Sequence, residues 1–570
     1  MIKTSSDIYE TGNSLHPTSS NKKAINVDVT IKERGEVYTT ALENLESSDD
    51  NEKQEATLQK GLNSRQIQLL ALGGAIGTGL FVGTGSTLVN CGPLPLMLAF
   101  IIISFVVYPI MNSIAEMICF LPQQGTTQEL VSRYVDTSLG FAIGWNYAYA
   151  YAMLVASEIS AAAGVIQYWD DKTNIAVYIT VLLVVIISLN FMPVKFYGEF
   201  EFYFAIIKIL CILGLIILSV VLFFGGGPNH DRLGFRFWKH PGPFAYHITT
   251  GSTGRFTDVW TAIIKSGFAF ILSPELIGVA CVEAQDTRRN ISKASRRFIY
   301  RLVFFYICST IAIGVIVSRK DTGLLKALST GAPGASSSPF VAAIRNAGIR
   351  VLPHIINACI LTSAWSSGNS FMYAASRTVL ALANKGLAPK FFTKINKYGV
   401  PYNAVLLSAA VACLSYLNVS SGSALGFEWL SNISTISGFI AWVVLGIAHL
   451  RFRKAIDFNG LYDRLPYKAK FMPYATYWYI FFVGMICLTN GYAVFVHGLW
   501  NVSDFIAAYI TLPIFFVLYF GHKLWFRTRW AIPIAEIDVT TGLVEAEEEA
   551  KMCLTPPPET KMGKFLEWLF

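Results

Sequence analysis

The chain has 570 residues, 53% of them hydrophobic and 14% charged, with a net charge of +8 and a mean hydropathy of +0.47. A soluble globular protein carries about a quarter charged residues, so an ordinary soluble enzyme or nucleic-acid-binding domain is excluded and a membrane protein remains. The basic excess calls for no nucleic acid, because Lys and Arg collect at the ends of membrane helices.

The polarity is unevenly distributed. Residues 1–64 are polar, as in Glu43-Asn44-Leu45-Glu46-Ser47-Ser48-Asp49-Asp50, and bury too little apolar surface to fold alone. They read as a disordered N-terminal tail. Met1 to Lys60 has no basic flank followed by an apolar stretch, so the first span is expected to act as the targeting signal. A bilayer core needs roughly twenty apolar residues per helix. Twelve candidates follow in chain order: Ile67–Leu88, Leu94–Cys119, Phe141–Tyr168, Ile175–Pro193, Phe204–Phe224, Thr257–Cys281, Arg301–Val317, Val351–Ala383, Pro401–Tyr416, Phe427–His449, Tyr474–Val496 and Phe505–His522. The expected architecture is an all-α polytopic membrane protein of about twelve transmembrane helices, with its core at 65–524 and a C-terminal tail at 525–570.

An even number of spans puts both tails on one side. The loops on that side hold Arg288, Arg289, Lys293, Arg296 and Arg297, then Lys385, Lys390, Lys394 and Lys397, then Arg451, Arg453 and Lys454. The opposite loops around Ser420 and Asn501 hold none. The bias in Lys and Arg predicts cytoplasmic tails. The nine cysteines are scattered, most of them inside apolar runs; they read as buried thiols, with no metal site expected.

The first span contains Gly73-Gly74-Ala75-Ile76-Gly77-Thr78-Gly79-Leu80-Phe81-Val82-Gly83. Glycine inside a helix costs about 1 kcal/mol relative to alanine. Close helix packing through small residues is one explanation; a broken helix is the other, and four glycines from Gly73 to Gly79 favour it. A break exposes amides and a half-helix N-terminus that suit a carboxylate. The sixth span is interrupted by Ile271-Leu272-Ser273-Pro274-Glu275, where the proline frees carbonyls that an ammonium can use. Interruptions at corresponding positions of two halves are the best sequence pointer to a transporter binding site.

Further ionisable residues lie inside spans: Glu116, Glu158 and Lys208. Charge at that depth is costly, so such groups face a cavity or a partner. Glu116, close to Phe120-Leu121-Pro122, is expected to reach the interface. Lys265 is expected to snorkel outward. Glu158, Lys208 and Glu275 are the candidates for substrate and proton coupling.

These motifs are similar to those of the fungal amino-acid permeases of the amino acid–polyamine–organocation superfamily, over about Arg65 to Glu545. The glycine-rich first helix carries the resemblance. So do Pro193-Val194-Lys195-Phe196-Tyr197-Gly198-Glu199-Phe200-Glu201-Phe202, Ser367-Gly368-Asn369-Ser370-Phe371-Met372-Tyr373, and Gly438-Phe439-Ile440-Ala441-Trp442 followed by His449-Leu450-Arg451-Phe452-Arg453. The resemblance implies a leucine-transporter-like 5+5 inverted repeat plus two extra helices, and proton-driven uptake of amino acids across the plasma membrane. No cofactor is implied beyond the proton gradient. It implies that the substrate carboxylate meets Ile76, Gly77, Thr78 and Gly79, and that the amino group meets carbonyls near Phe270, Ile271 and Leu272, with Ser273 and Glu275 alongside. Lys208 matches a fifth-helix lysine that takes the place of a sodium ion. The tails, with Lys3, Lys22, Lys23, Lys32, Lys53 and Lys60, are implied to meet ubiquitin ligase adaptors; membrane lipids are the remaining partners.

Within the family, Gly225 to Arg236 looks like the dicarboxylic permeases, and the general amino-acid permeases are the other near group. Glu158 and the His449/Arg451 arrangement instead lean toward neutral or basic substrates. The sixth helix departs from the family's aromatic-x-Gly-x-Glu pattern at Ile271 and Ser273. Ala115-Glu116-Met117-Ile118-Cys119-Phe120 and Pro333-Gly334-Ala335 are shared with the carnitine- and polyamine-linked branch, some of whose members behave as sensors. The alternative reading is therefore a transporter-like nutrient sensor, or a carnitine/polyamine-related permease, with low flux. No nucleophile–base pair, metal cluster or phosphate loop marks an enzyme.

Overall fold

The computed structural model describes residue 66, residues 77–552 apart from 123–125, 171, 283–285, 330–337 and 421–422, and residue 560. The N-terminal tail with its lysines and the Pro333-Gly334-Ala335 motif lie outside the described residues. Each of the twelve apolar runs is mainly helical where described.

The first, α1, follows a bend at Gly77 and opens as a π-helical turn, Gly79–Gly83, before regular helix Thr84–Cys91. Gly92 ends it at φ +99°, and a Cβ there would lie 2.4 Å from the Pro243 carbonyl oxygen, so the position admits glycine alone. Helix α2, Pro93–Phe120, starts on a proline whose missing N–H would be unpaired anyway. Asp136 caps α3, Thr137–Ile166, by accepting the Ser138 and Leu139 amides at 2.6 and 3.3 Å. Next are α4, Ile175–Asn190, and α5, Val194–Phe223.

Helix α6 comes in two pieces, Gly251–Ser266 and Ser273–Val282, joined by a short 3₁₀ turn at Gly267–Ala269 and three non-helical residues. Helix α7 runs Thr287–Leu302, through a π-helical turn Val303–Ile307, into Cys308–Ile316. The set is completed by α8, Leu352–Asn384; α9, Tyr402–Ala412; α10, Ser423–Phe458; α11, Tyr474–Thr489; and α12, bent by 42° between Val502–Tyr509 and Thr511–Phe526. Three boundaries differ most from expectation. Helix α5 begins at Val194, well before Phe204. Helix α7 begins well before Arg301 and α10 continues well past His449, because basic residues extend both helices beyond the apolar stretch that hydropathy detects.

Helix α3 is buried along almost its whole length, between α8 and α10. Helix α8 carries Ser363, Ser366, Ser367, Asn369 and Ser370, all buried: a polar stripe inside the bundle. Helix α5 presents Phe196, Phe200, Tyr203, Leu210 and Ile217 outward, a face that lipid solvates as readily as protein does. Beyond α12 the chain returns to the bundle. Ile537, Val539, Leu543 and Ala546 are buried, and the Ile532 amide donates to the Val135 carbonyl at 2.9 Å.

Candidate transport site

The two interrupted helices touch. A Cβ on Gly79 would come within 2.7 Å of the Ala269 Cα, so this glycine sets the distance between α1 and the joint of α6. Close packing, one of the two alternatives posed by the sequence, holds at Gly79; residues 67–76, on the other side of the Gly77 bend, lie outside the described residues. A Cβ on Gly77 would meet Glu158 Oε1 at 2.9 Å and Ser367 Oγ at 3.3 Å; the bend of α1 therefore lies directly against α3 and α8. Ile76, the fourth expected carboxylate contact, lies outside the described residues.

The joint of α6 turns through Leu272, at φ +58°. A left-handed conformation costs a β-carbon-bearing residue roughly 1–2 kcal/mol and persists where the surroundings fix it. Here Ile271 fills a notch in α10: a Cβ on Gly438 would stand 2.1 Å from Ile271 Cγ1. Phe270 stacks on Tyr306, with centroids 4.5 Å apart, and lies 5.3 Å from Phe100.

Not all of the expected carbonyls are free. The Tyr306 hydroxyl donates to the Ala269 carbonyl at 3.0 Å, the Ser273 amide to Phe270 at 3.4 Å, and the Leu276 amide to Leu272 at 3.1 Å. Among the described residues, the Ile271 carbonyl receives no hydrogen bond. Of Phe270, Ile271 and Leu272, Ile271 is thus the one whose carbonyl has both acceptor positions open among the described residues, because the helix resumes within one turn and engages its neighbours.

Glu158 and Glu275 are both 2% exposed. Glu275 Oε1 accepts from the Tyr147 hydroxyl at 3.3 Å, which ties α6 to α3, and the Asn146 side chain donates to the Ser437 carbonyl at 2.8 Å, which ties α3 to α10. Where these helices meet, Ser273 Oγ and Ser437 Oγ are buried without a hydrogen-bond partner among the described residues, while Thr78 faces the Glu158 carboxylate and Trp442 that of Glu275. Buried polar atoms are nearly always paired. The unmet pair here suits a small polar ligand.

Lys208, 1% exposed, adjoins the same place: its Nζ donates to Ser367 Oγ at 3.2 Å. Sequence reasoning named Ser367 only within a motif and gave it no role. Glu116 corrects an expectation. Instead of reaching the interface it is wholly buried, accepting from His449 Nε2 at 2.7 Å, Arg453 at 2.6 and 2.8 Å, and the Ala469 amide at 2.8 Å. Its side-chain partners were both in view in the His449-to-Arg453 motif, but their distance in the chain concealed the pairing. Lys265 is half-buried on the first piece of α6.

The interrupted helix α6 in contact with the start of α1, with unmet polar atoms around its joint and buried ionisable groups beside it, fits a secondary transporter. The chain belongs to the amino acid permease family, whose model matches residues 66–532. It is 59% identical to the proline-specific permease of Saccharomyces cerevisiae over 91% of this chain and 84% of that protein. It is 50% identical to the proline-specific permease of Emericella nidulans, over 90% of this chain and 93% of that one. With the dicarboxylic amino acid permease of Saccharomyces cerevisiae it shares 39% identity, over 91% and 87% of the two chains. The fold is that of a mutant of the manganese transporter of Eremococcus coleocola, with a TM-score of 0.53, 14% identity, and 85% and 94% of the two chains covered. The protein is a multi-pass membrane transporter of amino acids and not an enzyme.

Proposed function

We propose that this permease imports proline by proton symport across the plasma membrane, with both tails in the cytoplasm. The observation that carries the substrate is identity of 59%, 50% and 53%, over 87–91% of this chain, to relatives named as proline-specific permeases. The site supports the same reading. A prolinium nitrogen offers two N–H donors where a primary ammonium offers three, and occupation of the Ala269, Phe270 and Leu272 carbonyls leaves a correspondingly small acceptor set at Ile271. The carboxylate is received at the Gly77–Gly79 bend. Lys208, held at Ser367 beside that bend, and the carboxylates Glu158 and Glu275 handle the transported proton.

Uptake of labelled proline in cells lacking their own permeases tests this reading, with and without a protonophore. Concentrative uptake of proline that collapses with the gradient is expected, with aspartate and lysine as poor competitors. Saturable binding with negligible accumulation would instead identify a receptor.

A further inference from the structure

Helix α5 holds a second buried ionisable residue that the site described so far leaves unused. Glu201 is 2% exposed, and its Oε1 lies 3.8 Å from Lys208 Nζ. Seven residues separate the two, about 10 Å of helix. They come together because the lysine stem runs back toward the N-terminal end of α5, as helical side chains do. Ser366 donates to the other oxygen, Oε2, at 2.7 Å. Adjacent serines of α8 thus divide the pair: Ser367 accepts from the ammonium and Ser366 donates to the carboxylate.

The result is a continuous polar path away from the transport site. It starts at the Gly77 bend, whose Cβ position lies 3.3 Å from Ser367 Oγ, and passes through Lys208 to Glu201. The other titratable groups around it are already engaged or lie on its far side. Glu158 acts on Lys208 from the direction of α3. Glu199 accepts from Gln66 at 2.9 Å. Tyr197 stacks on Tyr373 at 4.4 Å, with Arg377 over the Tyr373 ring. Among the described residues Glu201 is the carboxylate within ion-pair distance of the lysine, and it lies nearer the start of α5 than Lys208 does.

We infer that Glu201 is the proton acceptor of Lys208, the exit half of a two-residue relay. The inference rests on the proton-symport reading. The step moves one proton: the Lys208 ammonium becomes an amine, the Glu201 carboxylate becomes a carboxylic acid, and an ion pair becomes a neutral pair. No net charge is stranded in the bundle, which is what makes transfer at this depth affordable. At 3.8 Å the groups are too far apart for transfer, which needs a heavy-atom distance of roughly 2.6–3.2 Å. Movement of α1 away from Ser367 frees the ammonium to close that gap. Glu201 then loses its proton toward the α5 N-terminal end, and Lys208 regains one from the side of Glu158.

The test compares net accumulation with exchange of preloaded proline, each normalised to surface protein. Glu201→Gln keeps the size and the Ser366 contact but cannot accept a proton. Accumulation should fall about tenfold or more, as loss of a general base does, while exchange stays within about twofold. Glu201→Asp should recover part of the accumulation and displace its pH profile. Accumulation by Glu201→Gln equal to wild type, or parallel loss of accumulation and exchange, overturns the inference. If Glu201→Gln fails to reach the membrane, Ser366→Ala decides. Both charges remain, and the ratio of accumulation to exchange should fall; an unchanged ratio overturns the relay. Wild-type accumulation that ignores the proton gradient refutes the symport reading itself, an outcome distinct from a wild type that couples and a Glu201→Gln that couples equally.

Discussion

Glu116 of α2 and His449 of α10 meet at 2.7 Å with neither side chain exposed to solvent. Arg453, one turn along α10, holds the same carboxylate, and the Ala469 amide fixes the following loop to it. Removing one member of such a cluster strands the others. Glu116→Ala should cost about 3–5 kcal/mol, the usual penalty for an uncompensated buried charge. The exposed pair Arg464–Glu547, at 2.8 Å, is the contrast: Glu547→Ala should cost about 1 kcal/mol or less. Thermal unfolding of both variants in detergent checks the difference. Equal melting temperatures would show that the buried cluster contributes no more than a surface pair.

Gly79 stands where α1 meets Ala269. A methyl group there would lie 2.7 Å from the Ala269 Cα, backbone that cannot turn aside as a side chain can. Gly79→Ala should therefore separate α1 from α6 and lower proline uptake by about tenfold or more, since misplacement by an ångström at a site costs on the order of a hundredfold in rate. Gly83, whose Cβ position has open space around it, is the control. Gly83→Ala should transport normally. Similar losses in both would point to general intolerance of the π-helical turn.

Glu158 places a buried carboxylate against the α1 bend. Two like charges about 4 Å apart repel by about 4 kcal/mol at an effective dielectric of 20. Glu158→Gln should thus admit aspartate as a competitor of proline uptake and weaken any competition by lysine or arginine. Competition curves for wild type and variant give the answer. Strong aspartate competition in the wild type would show that the charge does not select.

Asp170, in the loop between α3 and α4, accepts from the Thr173 hydroxyl at 2.6 Å and the Tyr178 hydroxyl at 2.6 Å. The Thr173 bond, followed by that of Tyr178, holds its carboxyl down at about 2. A depressed carboxyl stabilises the fold above its unfolded value near 4, and the contribution is lost as pH falls through the folded value. The whole change lies between about pH 4 and pH 2, below the range in which uptake is measured. Asp170→Asn should accordingly leave the pH profile of uptake between about 5 and 8 unchanged. A shifted profile would assign Asp170 a part in coupling.

How much of this was legible in the sequence depended on the range of the interaction. The twelve apolar runs are local, and each is mainly helical where described. The bend at Gly77 and the break at Ile271-Leu272-Ser273-Pro274 are local too, written in glycine and proline. What eluded the sequence is pairing at a distance. Glu116 waits more than three hundred residues for His449 and Arg453, and Glu201 finds Ser366 on another helix. The Ile271 carbonyl stands apart from its neighbours because Tyr306 and the returning turn of helix occupy theirs, a distinction that only coordinates draw. The buried serines of α8 carried a signal, being polar residues inside an apolar run, but not the identity of their partners.

The return of the chain beneath the bundle bears on the order in which the protein is made. Arg133 donates to the Asp538 and Thr541 carbonyls at 2.5 and 2.9 Å, Arg451 donates to the Tyr134 and Ile532 carbonyls, and Lys523 reaches buried Asp136 at 2.9 Å. Three of these contacts, Arg133 with Asp538 and Thr541 and Lys523 with Asp136, join residues 387 to 408 positions apart in the chain. While later helices are still being synthesised, Asp136 has only the amides of its own helix, and Arg133 lacks the acceptors that hold it in the finished protein. A chain stopped after Phe526 would present that unfinished face to the quality-control machinery of the cell.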